Sequence, residues 1–575
     1  MAAGPLNDQA MTANVQMQWG LKIPLRDGIS LNATLYRPVH QSAAAPALFT
    51  LTPYVGQTYH DRGTFFASHG YPFLTVDARG RGNSEGTFKS GCNEGTDAYD
   101  IVEWLARQNY CNGQVAMWGG SYGGYVQWGA AAQRPPHLAT IAPVAAPFRG
   151  VDSPLRNNIF CPYRIQWLTL LAGRTSQDKI FADQGFWSAQ FRRWLESGTA
   201  FRDIDVFLGN PSPIFQDWLA HPQLDAYWDQ YNPRSSDYAR MTLPILTITG
   251  IYDGNQLGAL AHYREHMRNA PDEGRDRHYL VIGPWDHAGT RTPKGEFCGL
   301  KVGAASLIDM NDLHLQWYAW TLQNGPKPPF LQKRIAYYVM GAERWRYADS
   351  LEDITSQTQP YYLHSTANPS DVFHSGLLDA QVPTGGPDSY VYDPRDTSGA
   401  QLQSTIDPES RIDQRIVHAR AGRHLIYHSA PLESDIEISG WFKLTVWLSI
   451  DQPDTDFGIL ISEVALDGSA IELTTDCLRA RYRESLREQH LIRTLDPLRY
   501  DFTRFSFVSR RIPRGHRLRL VIGPLDSIYF EKNYNSGGTV ADECMADART
   551  VTVKLFHDER HPSALYIPIG DLEYV

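Results

Sequence analysis

Cysteine is scarce in this chain: six residues (Cys92, Cys111, Cys161, Cys298, Cys477 and Cys544) are scattered through 575. None forms a C-x-x-C pair, so neither a zinc site nor a dense disulfide framework is expected, and the thiols read as mostly buried and free. Long apolar runs are missing as well. No uninterrupted stretch of about 18 residues is apolar enough for a transmembrane helix. The opening residues, MAAGPLNDQAMTANVQMQWG, have no basic region followed by an apolar run and do not read as a secretory signal. Positive charge is also in short supply: 53 Lys and Arg stand against 63 Asp and Glu, a net charge of −10 with no basic stripe. Nucleic acid is therefore not an expected partner, nor is a membrane. Repeats and low-complexity segments are absent, and Asn32-Ala33-Thr34 is a lone glycosylation triplet. These absences read together as a cytoplasmic globular protein.

What is present divides the chain into regions. At roughly 150 residues per domain, the length allows about three or four. From the start to 145, short apolar runs (Ala47–Thr52, Phe73–Asp77, Val115–Trp118) alternate with helical stretches such as Thr96–Arg107. That alternation predicts a parallel sheet flanked by helices. From 146 to 239 the strand signals fade, and Tyr163–Ala172 and Phe186–Ser197 show helical spacing, so an inserted helical cap is expected. Strand signals resume at Ile245–Thr249 and Tyr279–Ile282 and should rejoin the first sheet, which places the catalytic core in 1–145 and 240–350. From 351 to 575 the pattern is nearly all β, with Phe442–Ile450, Phe457–Ala465, Arg517–Ile522 and Thr550–Phe556 separated by Gly, Pro and Asp turns, which predicts a β-sandwich or jelly roll.

Chemistry concentrates at Trp118-Gly119-Gly120-Ser121-Tyr122-Gly123-Gly124, a G-x-S-x-G between an apolar strand and a small-residue helix. A nucleophile elbow needs that order. Small residues two before and two after the serine avoid collision in a tight turn, and the next amide, Tyr122 N–H, is left free at a helix N-terminus to hold an oxyanion. A serine hydroxyl needs a base, and the base a carboxylate. Asp253, a few residues after Ile245–Thr249, and His287, after Tyr279–Ile282, supply both in the order and at the sheet edge that an α/β-hydrolase uses. Asp286 is a rival acid beside His287, but neighbouring side chains on a loop diverge, which favours Asp253. Tyr54, in Leu51-Thr52-Pro53-Tyr54 after an early strand, is placed to be a second oxyanion donor. His262-Tyr263-Arg264-Glu265-His266 matches an inverted zinc-protease pattern, but no further carboxylate ligand follows in a suitable helix, so it reads as an exposed helix and no metal or other cofactor is expected.

Taken together these residues resemble the CocE/NonD hydrolases, the cocaine esterase and X-prolyl dipeptidyl-peptidase relatives within the α/β-hydrolases. The marks are Thr52-Pro53-Tyr54, the Asp77–Gly86 stretch (DARGRGNSEG), the Gly119–Gly123 elbow, Gly250–Gly254 and Gly283–His287. Further along come Tyr392-Asp393-Pro394, Asp454-Thr455-Asp456-Phe457, Arg479–Arg483 and Pro513-Arg514-Gly515-His516. The resemblance implies a hydrolase core, an inserted helical cap and a C-terminal jelly roll packed over the site. It also implies Ser121, Asp253 and His287 as the triad, Tyr54 and the Tyr122 amide as the oxyanion hole, and a structural role for the Asp77–Gly86 loop. The α-amino-acid ester hydrolases of this group carry acidic residues just after the catalytic acid. Here Asn255 and Gln256 stand in those places, and Gly123 rather than Glu follows Ser121-Tyr122, which argues against an α-amino acyl substrate. Ile528–Asn533 departs from the family's turn.

The expected activity is two-step acyl transfer on a small-molecule ester or amide, most simply an esterase, with Trp167, Phe160, Tyr163 and Asn255 as candidate substrate-binding residues. Three other readings stay open: an X-prolyl-type aminopeptidase, an acyltransferase with the same triad, and a non-catalytic protein that holds carbohydrate on its jelly roll. The aromatic content (15 Trp, 30 Tyr, 23 Phe) leaves a homo-oligomer open as well.

Overall fold

The structure, a computed structural model, describes residues 14–572. The opening thirteen residues, where no secretory signal is read, lie outside that range. The first sheet has ten strands: β1 (Val15–Pro24), β2 (Ser30–Pro38), β3 (Ala45–Thr52), β4 (Phe73–Asp77), β5 (Cys111–Gly120) and β6 (Leu138–Val144) precede a long insertion. After a two-stranded hairpin within that insertion, β7 (Leu155–Arg156) and β8 (Ile159–Phe160), the sheet continues with β9 (Ile245–Tyr252) and β10 (His278–Asp286). A small hairpin, β11 (Glu296–Phe297) and β12 (Leu300–Lys301), intervenes before β13 (Ile335–Val339) and β14 (Arg344–Ala348). The order across the sheet is β1-β2-β4-β3-β5-β6-β9-β10-β13-β14. Pairing from β4 to β13 is parallel, with antiparallel strands at both edges.

The central strands read as unbroken apolar runs because both faces are covered. Every residue of β4 is buried, as are seven of eight in β3 and in β9. The helices Glu94–Ala106 and Tyr122–Gln133 pack on one face, while Met310–Gln323 closes the other through Trp317 and Tyr318. Between β6 and β9 lie the short hairpin and a series of helices, including Tyr163–Leu170 and Gln184–Ser197. Their aromatics form a core of their own that also takes in Ala400, Ile528 and Ala541 from the C-terminal region. That region is β-rich. Thirteen strands, from Gln357–His364 to Ala564–Ile569, enclose a separate apolar core. The chain is thus an α/β-hydrolase core with a β-rich C-terminal domain. No helix among the described residues is long and apolar enough to cross a membrane.

All six cysteines are free, but the expectation that most are buried needs correction. Cys111 and Cys477 are buried, Cys92 is exposed, and the other three are half-buried. The expectation of an exposed helix at the zinc-like pattern is corrected: His262, Tyr263 and His266 of the helix Gln256–Asn269 are buried in core packing. His262 stacks on Trp128 with ring centroids 4.8 Å apart. Its Nε2 faces the Pro147 carbonyl, which can only accept, so Nδ1 accepts from the Tyr238 hydroxyl at 2.7 Å. His266 meets His278 at 3.1 Å.

Burial holds these rings neutral. It lowers His262 to about 3, and His266, His314, His424 and His428 to about 4. In the unfolded chain each would titrate near 6.5. A depressed native value means that the unfolded state binds the extra protons, so this stability is present above pH 6.5 and is lost as pH falls toward 4. At pH 5 each ring should cost on the order of 1–2 kcal/mol. The urea midpoint is therefore expected to drop markedly between pH 7 and pH 5. A flat midpoint across that range would show that the rings protonate as readily in the folded protein as in the unfolded chain.

Candidate active site

The elbow follows from local geometry. β5 ends at Gly120, the helix begins at Tyr122, and Ser121 between them adopts φ 58° and ψ −120°. That is a left-handed conformation which a residue with a Cβ rarely takes, and it stores strain. Gly119, at φ 153°, lies where a Cβ would come 3.3 Å from Gly123, so the flanking glycines let strand and helix approach. As the first residue of its helix, Tyr122 has an N–H that precedes the first intrahelical bond. The Tyr122 ring is buried elsewhere, its hydroxyl bonded to the Glu94 carboxylate.

The loops after β9 and β10 carry Asp253 and His287. Asp253 is buried. Its Oδ1 accepts from His287 Nδ1 at 2.6 Å and from the Asn255 N–H at 2.9 Å, and its Oδ2 accepts from the Thr249 hydroxyl at 2.8 Å. Burial alone would raise its pKa, but the charge and hydrogen bond of His287, with the other donors, bring it below the ordinary value. It therefore stays ionised. Because the carboxylate can only accept, His287 carries its proton on Nδ1, which leaves Nε2 free to accept. Asp286 points elsewhere: its Oδ1 caps the following turn at the Gly289 N–H, 2.6 Å away. Gly250 brings the two loops together, since a Cβ there would lie 2.1 Å from the Trp285 carbonyl oxygen.

Tyr54 follows β3. Burial raises its pKa while hydrogen bonds with Trp167 and Ser121 oppose the rise, so the phenol stays protonated. Trp167 Nε1 donates to the Tyr54 hydroxyl at 3.1 Å, which leaves the phenolic hydrogen directed at another acceptor. The Asp77–Gly86 loop holds this turn. Fully buried Arg81 donates to the Pro53 carbonyl at 2.7 Å and to the carbonyls of Leu171, Gly173 and Thr175. It thereby ties the Tyr54 turn to the segment after the Trp167 helix, and Asp77 secures the same turn through the Gly56 N–H.

Ser121, His287, Tyr54 and Tyr122 line one cavity of about 270 Å³. Trp167, Tyr163 and Asn255 line it too, and so do Arg149, Trp218 and Tyr252, which sequence reasoning missed. Phe160 does not. β8 is pinned where the Phe160 carbonyl accepts from the Glu531 N–H, and the Phe160 ring is buried in the cap core against Phe201, so its assignment to substrate binding is corrected. Glu409 and Arg411 reach the cavity from the C-terminal domain. Asp286, Cys298 and Glu409 each bring a donor atom within 4.8 Å of the others. Burial pushes the Cys298 thiol up to about 12, a protonated and poor metal ligand, and Asp286 is already engaged.

A strained serine at a strand-to-helix turn, in an α/β-hydrolase core with a histidine–carboxylate pair beside it, defines the class of serine hydrolases. The chain is similar to the X-Pro dipeptidyl-peptidases in two parts: residues 27–289 match the X-Pro dipeptidyl-peptidase (S15 family), and residues 331–565 match the X-Pro dipeptidyl-peptidase C-terminal non-catalytic domain. It is 26% identical to a cocaine esterase from Rhodococcus sp. (strain MB1 Bresler), over 97% of this chain and 99% of that one. It is 23% identical to a putative serine esterase from Mycobacterium tuberculosis (strain CDC 1551 / Oshkosh), over 95% and 94%. Among solved structures, an α-amino acid ester hydrolase superposes with TM-score 0.83 at 20% identity, covering 99% of this chain and 98% of that one. A CocE/NonD family hydrolase from Staphylococcus aureus gives 0.68 at 16%, covering 96% and 93%.

Proposed function

We propose that this serine hydrolase is an esterase for a small-molecule acyl ester, working through an acyl-enzyme on Ser121. The 2.6 Å pairing of His287 Nδ1 with buried Asp253, in the cavity that Ser121 also lines, is the observation that carries this reading. His287 Nε2 takes the Ser121 proton as the oxygen attacks the carbonyl. The Tyr54 hydroxyl and Tyr122 N–H stabilise the oxyanion, His287 returns the proton to the leaving group, and water releases the acyl chain. Trp167, Tyr163 and Asn255 are assigned to substrate contact. The domain reading that accompanies this is a catalytic core in 1–145 and 240–350, a cap in 146–239 and a β-sandwich in 351–575. The free thiols support a cytoplasmic setting.

A fluorophosphonate probe should label the protein at Ser121. Labelling that survives Ser121→Ala would remove that residue from the mechanism. Tyr54→Phe is expected to lower kcat by about 10²–10³-fold, with a much smaller change in KM, because one oxyanion donor is lost while ground-state contacts stay. An unchanged kcat would take Tyr54 out of the oxyanion hole.

A further inference from the structure

Arg149 sits in the loop after β6, at the carboxyl edge of the sheet, and lines the cavity that holds Ser121 and His287. It is only 5% exposed. A guanidinium always carries its charge and offers five N–H donors. Here Nη1 donates to the Ser153 hydroxyl at 3.1 Å and Nη2 to the Ser90 hydroxyl at 2.7 Å, while Nε is buried without an acceptor. Both of those acceptors are neutral. Among the described residues no carboxylate lies within the 4.0 Å of an ion pair. Glu94 is near enough to feel the charge, but its oxygens are taken by the Tyr122 hydroxyl and the N–H groups of Gly91 and Asn93. Burial also pushes the Glu94 carboxyl upward, toward its neutral form.

Leaving a buried charge without a counter-charge costs several kcal/mol, and folds keep such a group where a ligand completes it. Geometry favours a planar anion. The Arg149 guanidinium carbon lies 5.2 Å from the Tyr125 ring centre and 5.8 Å from that of Trp218. Aromatic contacts of this kind leave the N–H edge of a guanidinium for hydrogen bonding, which is how arginine grips a carboxylate. Asp286 and Glu409 line the same cavity as a separate acidic group. They would repel a second negative charge and so orient it toward Arg149.

We propose that Arg149 is the anion-binding group of this cavity, and that the substrate carries a carboxylate in addition to the bond to be cleaved. This rests on the esterase reading of the site. The test uses two matched pairs of esters. One places the charge on the acyl chain, p-nitrophenyl hydrogen glutarate against p-nitrophenyl pentanoate. The other places it on the leaving group, 4-acetoxybenzoate against 4-acetoxybenzamide. At low salt, kcat/KM is expected to favour the carboxylate member at least 10-fold in one pair, and that pair locates Arg149 relative to the scissile bond. The ratio should fall toward one in Arg149→Met and stay intermediate in Arg149→Lys, and glutarate or benzoate should inhibit the unaltered enzyme competitively. Turnover of all four esters by the unaltered enzyme with no carboxylate preference in either pair overturns the proposal and leaves the esterase reading standing. Absence of both turnover and fluorophosphonate labelling overturns the esterase reading, and the proposal with it.

Discussion

Ser121→Ala is expected to lower kcat on an activated ester by about 10⁶-fold while the protein keeps its fold, because a nucleophile and its base act as a unit and what survives comes from binding and the oxyanion hole. The backbone supplies a second readout. Ser121 is held at φ 58° and ψ −120°, where a Cβ is strained. Alanine keeps that Cβ and should leave stability nearly unchanged, whereas Ser121→Gly removes it and should raise stability by about 1 kcal/mol or more. Both variants should be inactive. Measured together, kcat and the urea midpoint separate a lost nucleophile from a disturbed turn. An active Ser121→Ala would end the case for this serine, and a Ser121→Gly that is less stable than the parent would show that the turn is not strained.

Asp253→Asn is expected to lower kcat by about 10⁴-fold, and Asp286→Asn by less than about 10-fold. The difference follows from what each carboxylate touches. Asp253 accepts from His287 Nδ1, the Asn255 N–H and the Thr249 hydroxyl. An amide in its place can present its NH₂ to Nδ1, which moves the imidazole proton to Nε2 and leaves no base for Ser121. Asp286 caps a turn through the Gly289 N–H, a contact an asparagine oxygen can also make. Steady-state kinetics on one ester at saturating concentration decides the order. The reverse ranking would make Asp286 the orienting acid.

The strands of the core were legible because buried parallel strands are predominantly apolar on both faces: Ala47–Thr52, Phe73–Asp77 and Ile245–Thr249 all fall inside observed strands. The edge hairpin β1–β2 escaped notice, since β1 is mostly exposed and carries no apolar run. Ser121, Asp253 and His287 stand out in the sequence because each follows an apolar strand at the carboxyl edge of the sheet. Arg149 obeys the same placement rule, five residues past the end of β6, but an arginine in a loop looks like any solvated charge until its burial is known. Phe160 shows the opposite failure: an aromatic in a cap region has no sequence mark that separates a cavity wall from the cap's own core. Glu409 and Arg411 are further from reach, because only the tertiary fold brings a C-terminal segment against the elbow.

The hairpin at Leu155–Phe160 has a further consequence. Its turn residues, Asn157 and Asn158, both have positive φ. They bond far along the chain, with the Asn157 amide donating to Asp476 and the Asn158 amide to the Leu486 carbonyl, while buried Arg479 donates to the Asn158 carbonyl. The partner of Asn157 is 319 residues away. At roughly 5–20 residues per second of synthesis, it emerges from the ribosome about 16–64 s later. For that interval the hairpin lacks this anchor, and the aromatic core beside it lacks the C-terminal residues that complete it. The cavity lined by Glu409 and Arg411 is therefore complete only late in translation, and an unfinished chain presents a serine without a finished pocket.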